Sequence, residues 1–577
     1  MSDTTNITDK DVSNDNLNNN NSDDVDEVEE FRPSPRTDLE LQTDLVDYEL
    51  ERVESSTAAS RVLSRKVTGA DKFFEEANNT DEPLPTMGGG RDYPPPLPDR
   101  TPYQVMFDGP DDPAHPQNWS IHKKVIMCFA VGLSAISITF GSAMFAASSA
   151  DLMEIYHIGW TPATLGTSLF VFGFASGPII WGPLSELYGR RIVLVCSTFG
   201  YTCFSFAVGV SKDIQSILIC RFFAGFVGAA PLVVAPAAFT DMFNARTRGT
   251  AIALFVVLIF AGPMLGPILG GFTVKNATLG WRWLSYFIGI VAATSLVAIV
   301  FLYEETYAPL ILIEKAEKLR RRTGNWGIYA PHEEFRLTLK EIVEKNITRP
   351  IYMLFTEPIL FFITLYNAFV YGILYLFLTA VPLIFVGEYG WSQGVGELPY
   401  LGMLIGIFIG VLISVYYETR FNKMMDEKGG FLEPEDKLPT MAIGGVSFCI
   451  GIFWLGWTGA FGNRIHWIVP TIGAAPIGIG LVLIFLPCLT YIIDCYLIYA
   501  ASAIAGNTFL RSAFGAIFPL FARQMMVNMK IQYGCTLLGA VAFVLIPVPL
   551  LFMKYGGYFR KKSKYSMDLK DLMAKNS

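Results

Sequence analysis

The sequence predicts an all-α membrane protein, with twelve transmembrane helices in two six-helix halves. Three observations lead there: a composition too apolar for a soluble domain, a succession of runs long enough to cross a bilayer, and a charged connection dividing those runs six from six. Of 577 residues, 52% are hydrophobic and only 17% charged, against about 25% charged in soluble domains. The formal net charge of -8 is unevenly spread. Acid gathers in the first hundred residues, as at Asp23, Asp24, Glu29 and Glu30, while the membrane-proximal loops are basic. A nucleic-acid binder needs a clustered basic surface on a soluble domain, so nucleic acid is not expected as a partner.

Residues 1–120 form the first segment. They are rich in Asn, Asp, Glu and Ser and then in proline (Tyr93-Pro94-Pro95-Pro96), a composition that cannot bury a core and reads as a disordered tail. Ser34 and Ser64 are candidate kinase targets in that tail, which otherwise reads as a solvated spacer. No cleavable leader is read at the N-terminus, so the first span is expected to direct the chain to the membrane.

From Lys124 the pattern changes. Apolar runs follow one another near 124–147, 163–182, 192–210, 214–238, 250–273, 283–303, 352–377, 396–416, 440–460, 466–488, 497–520 and 534–553, the tenth and eleventh almost merging at Asp494. Each has roughly the twenty residues that cross about 30 Å of hydrocarbon. Basic residues set the orientation. Arg190, Arg191, Arg246, Arg248, the 315–349 stretch, Lys423 and 560–564 all fall on one side. Roughly two dozen Lys/Arg there against about half a dozen opposite place that side in the cytoplasm. The organisation predicted is therefore a six-helix half over 121–303, a cytoplasmic connection over 304–350, a second half over 351–555 and a cytoplasmic tail over 556–577. The stretch from Leu310 is amphipathic and suits the membrane surface.

A faint repeat relates the halves: glycine-spaced helices ending in an acid and a base, at Gly177–Arg191 and again at Gly406–Arg420. The eight cysteines are scattered, with no close pair and no histidine at ligand spacing. They read as buried inert thiols, and neither metal nor cofactor is expected.

Four segments carry mechanism. The turn between the second and third spans reads Gly182-Pro-Leu-Ser-Glu186-Leu-Tyr-Gly189-Arg190-Arg191, where glycine permits the turn and the charges can lock helix ends. It is read as a conformational latch, not a substrate site. The fourth span carries Arg221, whose guanidinium must pair or face water; bonded to backbone carbonyls it would hold two helices together. The fifth holds Gly262-Pro263-Met-Leu-Gly266-Pro267-Ile-Leu-Gly270-Gly271, small residues for close approach with prolines that bend the helix. On the seventh, Tyr371 and Tyr375 share a face, with Tyr366 and Asn367 beginning the same broad side. These rings, with Asn507, Arg511 and Phe514 of the eleventh span, read as a substrate pocket or as aromatic packing.

The turn resembles the loop signature of the major facilitator superfamily, G-x-L-x-D-R-x-G-R-R, with Glu186 for its acid and Leu187 for its first arginine. The Arg221 segment is similar to that family's second motif, whose arginine is implicated in proton coupling. The Gly-Pro run resembles the motif of its exporting branches. Phe107–Trp119, Trp281-Arg-Trp283 and Glu304–Pro309 narrow the likeness to the fungal twelve-span drug:proton antiporters, over about residues 105–555. The resemblance implies the major facilitator fold and a proton-coupled multidrug or polyamine exporter at the plasma or vacuolar membrane, acting as a monomer on drugs, polyamines and protons.

Acids for the proton are few. Asp241, near Arg246 and Arg248, reads as one side of an ion pair, and Asp494 as a group that can take a proton. Glu357, Glu388 and Glu397 lie near helix ends, and Asp151 and Glu154 follow the first span; none is singled out. No GxxxxGK[ST] loop is present for ATP, and no enzyme is expected. Two alternatives share the architecture: a proton-coupled importer or facilitator, and a nutrient sensor signalling through its tail.

Overall fold

The computed structural model describes residues 101–566 except 110, 277, 335–343, 428–432, 463 and 497–498. The tail features at residues 1–100 and the last residues from 567 lie outside the described part. Among the described residues, ten helical stretches are each long and apolar enough to cross a membrane, and an eleventh is the bent pair Trp160–Ser176 and Pro178–Leu187. The twelfth, Ala500–Asn528, has the length with 29 residues but not the apolarity, because Asn507, Arg511, Arg523 and Gln524 sit in it. Phe301, Leu412 and Val544 are 80%, 71% and 71% exposed, a surface that only lipid accommodates.

The spans are, in order, Ile121–Met144, the bent pair, Arg190–Val210, the broken helix Ile214–Gly228 with Ala230–Met242, Ala245–Lys275 and Arg282–Leu302. After the surface helix Ala308–Thr323 come Pro358–Pro382, Tyr400–Glu427, Leu438–Gly459, Ile468–Tyr496, Ala500–Asn528, and Ile531–Leu545 with Pro547–Lys562. Span 2 bends by 41° after Gly177, where Pro178 withdraws a backbone donor and crowds the preceding turn. Spans 10 and 11 are separate helices; the acid at Asp494 lies in the last turn of span 10.

Within the halves, span 5 packs on span 1, 6 on 3, and 2 on 4; correspondingly 11 packs on 7, 9 on both 10 and 12, and 8 on 10. The halves meet where span 2 packs on span 11 and span 5 on span 8. Phe260 of span 5 also meets Phe485 of span 10 edge-on, centroids 5.2 Å apart. One face of the molecule carries the 304–350 connection and both termini of the bundle; it is called the loop face here, and its opposite the far face.

Glycine makes the pairings close. A side-chain carbon on Gly173 would stand 2.5 Å from Phe226 N of span 4, and one on Gly478 2.8 Å from Ile407 N of span 8. Within the faint repeat read from sequence, an added carbon on Gly177 would lie 2.7 Å from Phe226 O of span 4 and one on Gly406 2.8 Å from Ala475 C of span 10, so each stretch carries a close helix contact. In the Gly-Pro run of span 5, Gly262, Gly266 and Gly270 line one stripe against span 1, at 2.6 Å from Phe140 N, 2.8 Å from Met144 N and 2.8 Å from Met144 O for an added carbon. That stripe is the seat of span 1, the close approach that small residues allow.

Residues 101–119, expected to be part of a structureless tail, are folded against the loop face. Asp112 accepts from Asp108 N (2.9 Å) and Ala114 N (2.8 Å), and these two backbone bonds hold its carboxyl below the usual value of 3.8. Val105 N donates to Tyr329 O at 2.9 Å, and Lys315 of the surface helix pairs with Asp108 at 3.2 Å. Composition missed this because the partners come from residues 300–330, not from the tail. Four cysteines also depart from the expectation of burial: Cys196 and Cys203 are exposed on span 3, and Cys128 and Cys220 are half-buried.

Replacing Gly266 with valine forces span 1 off its seat. Overpacking of this kind costs about 1–3 kcal/mol. The purified variant is expected to melt several degrees lower than a Gly182→Ala control, where an added carbon has only Val233 Cγ1 at 3.9 Å; thermal unfolding in detergent checks it.

Candidate functional site

Halfway along the bundle the two halves touch through polar groups. Ser142 Oγ of span 1 and Tyr375 OH of span 7 lie 2.9 Å apart, both buried, and Tyr375 OH is 3.5 Å from Tyr371 OH. Arg511 of span 11 places its guanidinium over Tyr371 (4.8 Å) and over Phe485 of span 10 (4.9 Å). One turn nearer the loop face, Asn367 Nδ2 donates to Asn507 Oδ1 at 3.1 Å. Asn367, Tyr371 and Tyr375 recur every four residues, so they lie along one helix face. The layer is reached because Gly515 of span 11 faces it: a side-chain carbon there would meet Tyr371 Cδ1 at 3.0 Å and Tyr375 Cδ2 at 3.2 Å.

Two residues expected in this layer stand elsewhere. Tyr366 is one position off the four-residue series, and its hydroxyl lies against Gly445 of span 9, inside the second half. Phe514 stacks with Phe518 (5.4 Å), which in turn meets Phe369, on the neighbouring face of span 11. Ser142 and Phe485 belong to the layer although sequence reading did not name them. Nothing local marks them, since Ser142 meets its partner across 233 positions.

Arg221 is 2% exposed. Its Nε donates to Gly166 O of span 2 (2.9 Å) and Nη1 to Gly141 O of span 1 (3.1 Å), and Phe145 and Phe170 flank the guanidinium at 4.5 and 4.1 Å. It therefore ties spans 1, 2 and 4 through carbonyls, while Nη2 is buried without a partner.

Beyond the layer, toward the far face, the halves part around a cavity of about 300 Å³. Spans 1, 2 and 5 form one wall, with Ala147, Thr164 and Pro267; spans 7, 8 and 11 form the other, with Thr379, Glu397 and Arg523. Pro267 of the Gly-Pro run thus belongs to the cavity as well as to the bend. Arg523 lies over the Trp160 ring at 4.2 Å, and Gln393 Nε2 donates to Ala147 O at 3.0 Å, so the wall contacts cross between halves.

At the loop face charges are paired. Gly189 has φ 90°, a left-handed conformation that admits glycine, and its turn brings Glu305 onto the start of span 3. Glu305 accepts from Arg190 N (2.9 Å) and Arg191 N (3.0 Å), the use of a carboxylate at a helix N-terminus. Arg190 is buried, donates to Ser185 Oγ (2.7 Å) and pairs with Asp241 (3.3 Å). Asp241 thus has a partner from across the turn, Arg190, that its sequence neighbourhood did not indicate; the Arg246 side chain expected beside it lies outside the described residues. Arg191 bonds Val300 O at 3.0 Å, and Glu186 O is 3.1 Å from His332 Nε2. The whole latch ties spans 2, 3, 4 and 6 of one half to the connection. In the other half Lys437 pairs with Asp494 (2.6 Å) and Arg560 with Glu435 (2.9 Å).

The connection is pinned by a two-pronged bond from Arg320 to Glu333, at 2.8 and 2.6 Å. That bond, more than burial, holds the Glu333 carboxyl below its usual 4.5. A depressed carboxyl contributes stability above its unfolded pKa and loses it as pH falls through the folded one. Amide exchange at Ile328–Glu333, corrected for intrinsic rates, is expected to stay flat from about pH 7 to about 5 and to rise only well below 4.5; Glu333→Gln should raise it at neutral pH and converge on the wild type once the carboxyl is protonated.

Comparison with known proteins agrees with this geometry. Residues 128–519 match the model of the Major Facilitator Superfamily. The chain is 62% identical over 523 residues to the major facilitator superfamily multidrug transporter FLU1 of Candida albicans, covering 91% of this chain and 86% of that one. It is 52% identical to multidrug transporter TPO1_2 of Candida glabrata, over 90% and 89% of the two chains. Two solved structures share the fold at 14% identity. They are the human organic anion transporter MFSD10, with a TM-score of 0.53 over 74% of this chain and 99% of its own, and the proton:xylose symporter XylE, 0.54 over 76% and 96%. The chain belongs to the major facilitator superfamily, among its fungal multidrug transporters, and is a membrane transporter, not an enzyme.

Proposed function

We propose that this chain exports drug-like molecules, polyamines among them, in exchange for protons, by rocking its two halves about the Ser142–Tyr375 layer. The observation that carries this reading is the seam itself. A polar and aromatic layer lies at mid-depth between halves, with a cavity on its far-face side and paired charges on its loop-face side. The relatives are named multidrug transporters, and the Gly-Pro run of span 5 supports export over import. The basic residues of the connection support a cytoplasmic loop face, with both termini there, in a monomer at the plasma membrane. Tyr371, Tyr375, Asn367, Asn507 and Arg511 form the substrate path in this scheme. Asp241 and Asp494 engage the proton by competing with Arg190 and Lys437, and Arg221 couples spans 1, 2 and 4 to that change. One charge moving through 100 mV supplies about 2.3 kcal/mol, enough for useful accumulation against a gradient.

The test is efflux of fluconazole and of spermidine from de-energised cells expressing the chain, after an inward proton gradient is imposed. Gradient-driven efflux that is lost in Arg221→Ala supports antiport; uptake, or indifference to the gradient, overturns it. Tyr375→Phe removes the bond to Ser142, worth about 1 kcal/mol. It is expected to change the efflux rate about fivefold at equal membrane abundance, as 1.4 kcal/mol corresponds to about tenfold.

A further inference from the structure

Among the described residues, three carboxylates at the ends of spans are buried: Glu357, Glu397 and Glu435. Two have partners. Glu435 holds Arg560 through both oxygens, at 2.9 and 3.1 Å, and Glu357 accepts from Tyr496 OH at 3.4 Å. Glu397 is 3% exposed and its Oε2 is buried with no partner, yet the residue lines the far-face cavity. Leaving a carboxylate ionised and alone there is costly, so it waits for either a proton or a cation.

We infer that Glu397 is a cation-exchange site on the exit side of the transport path, where an amphipathic organic cation is held as an ion pair and is displaced by a proton from the far face. In the exchange an O–H bond of a hydronium ion at the far face breaks and one forms at the Glu397 carboxylate, releasing water, as the ion pair to the departing cation is lost. This deepens the export reading and rests on it for direction. The central layer holds Arg511, with Arg221 in span 4 nearby in depth, and the residues named there include no carboxylate; the cavity sets Glu397 opposite Arg523, which is seated on the Trp160 ring. The cavity supplies the remaining chemistry. Thr164, Thr167 and Thr379 offer hydroxyls, while Pro267, Leu378 and Val386 give apolar walls, the mixture that binds a charged head on an apolar body.

The position is also built to move. A side-chain carbon on Gly271 of span 5 would lie 3.0 Å from Glu397 Cγ, so the acid of one half rests on bare backbone of the other. Separation of spans 5 and 8 uncovers it. The groups facing it are few: Lys275 of span 5, whose Nζ donates to Ser392 Oγ at 3.0 Å; exposed Glu388 at the end of span 7; Tyr400 on its own segment, whose hydroxyl donates to Phe377 O at 2.8 Å; and Arg523 across the cavity, seated on Trp160. No ion pair joins any of them to Glu397 among the described residues.

The test is equilibrium binding to the purified full-length chain in nanodiscs, with tetraphenylphosphonium, whose charge does not titrate, and neutral fluconazole as the comparison. The wild type is expected to lose about tenfold or more in cation affinity from about pH 8 to about pH 5, with fluconazole binding unchanged. Glu397→Gln should bind the cation about tenfold more weakly at the higher pH, with a flat pH profile, and Glu397→Asp should keep both affinity and slope. The inference is overturned if the wild type does not bind the cation, if Glu397→Gln keeps the wild-type affinity and slope, or if it loses fluconazole equally. Fluconazole efflux reports separately on export. Failed efflux with a Glu397-dependent cation profile removes the export reading and leaves the site; the reverse pattern removes the site and leaves export.

Discussion

In hydrocarbon, a polar group without a partner costs several kcal/mol, and most of this structure follows from that constraint. Helices satisfy their own backbones, and the side chains that remain must find carbonyls, each other or opposite charges. At the loop face they do. Arg190 with Asp241, Lys437 with Asp494 and Arg560 with Glu435 are each within 3.3 Å, and Glu305 covers the first amides of span 3. Among the described residues, the charged side chains left with an unpartnered buried atom are Arg221, Arg511 and Glu397. They sit at mid-depth or toward the far face, where the halves face one another.

That distribution separates a clamped end from a working seam. The loop-face pairs join spans within a half, so each half moves as a unit with its charges satisfied. Between halves the contacts are fewer and of another kind: the Ser142–Tyr375 bond, the Arg523 guanidinium on Trp160, Gln393 on a carbonyl, and glycine against side chain at Gly271. Each can be broken without stranding a charge in lipid, which is the condition for two halves to part and rejoin. Glycine spacing serves the opposite end. Where Gly262, Gly266 and Gly270 seat span 1 on span 5, contact is backbone to backbone and the pair cannot slide freely.

The sequence alone determined the spans, because length and apolarity are local properties that the bilayer reads one segment at a time. It likewise marked the latch turn by Gly189 and the span 5 seat by its Gly-Pro run, since positive φ and close approach demand particular residues. The twelfth crossing was legible by length even though Asn507, Arg511 and Arg523 lower its apolarity, for those residues face neighbouring helices or the cavity and not lipid. Tertiary structure decided which faces meet. Tyr366 turns to span 9 while Asn367, one residue on, turns to span 11, a 100° step that sequence fixes only once a neighbour is chosen. It decided that Asp241 answers Arg190, that Ser142 reaches Tyr375 across 233 positions, and that Glu397, one of several acids near helix ends, is buried with its Oε2 unpartnered. The physical reason is common to all three: a partner supplied by a distant helix leaves no trace in local pattern, and whether a charge is satisfied is a property of the packed bundle.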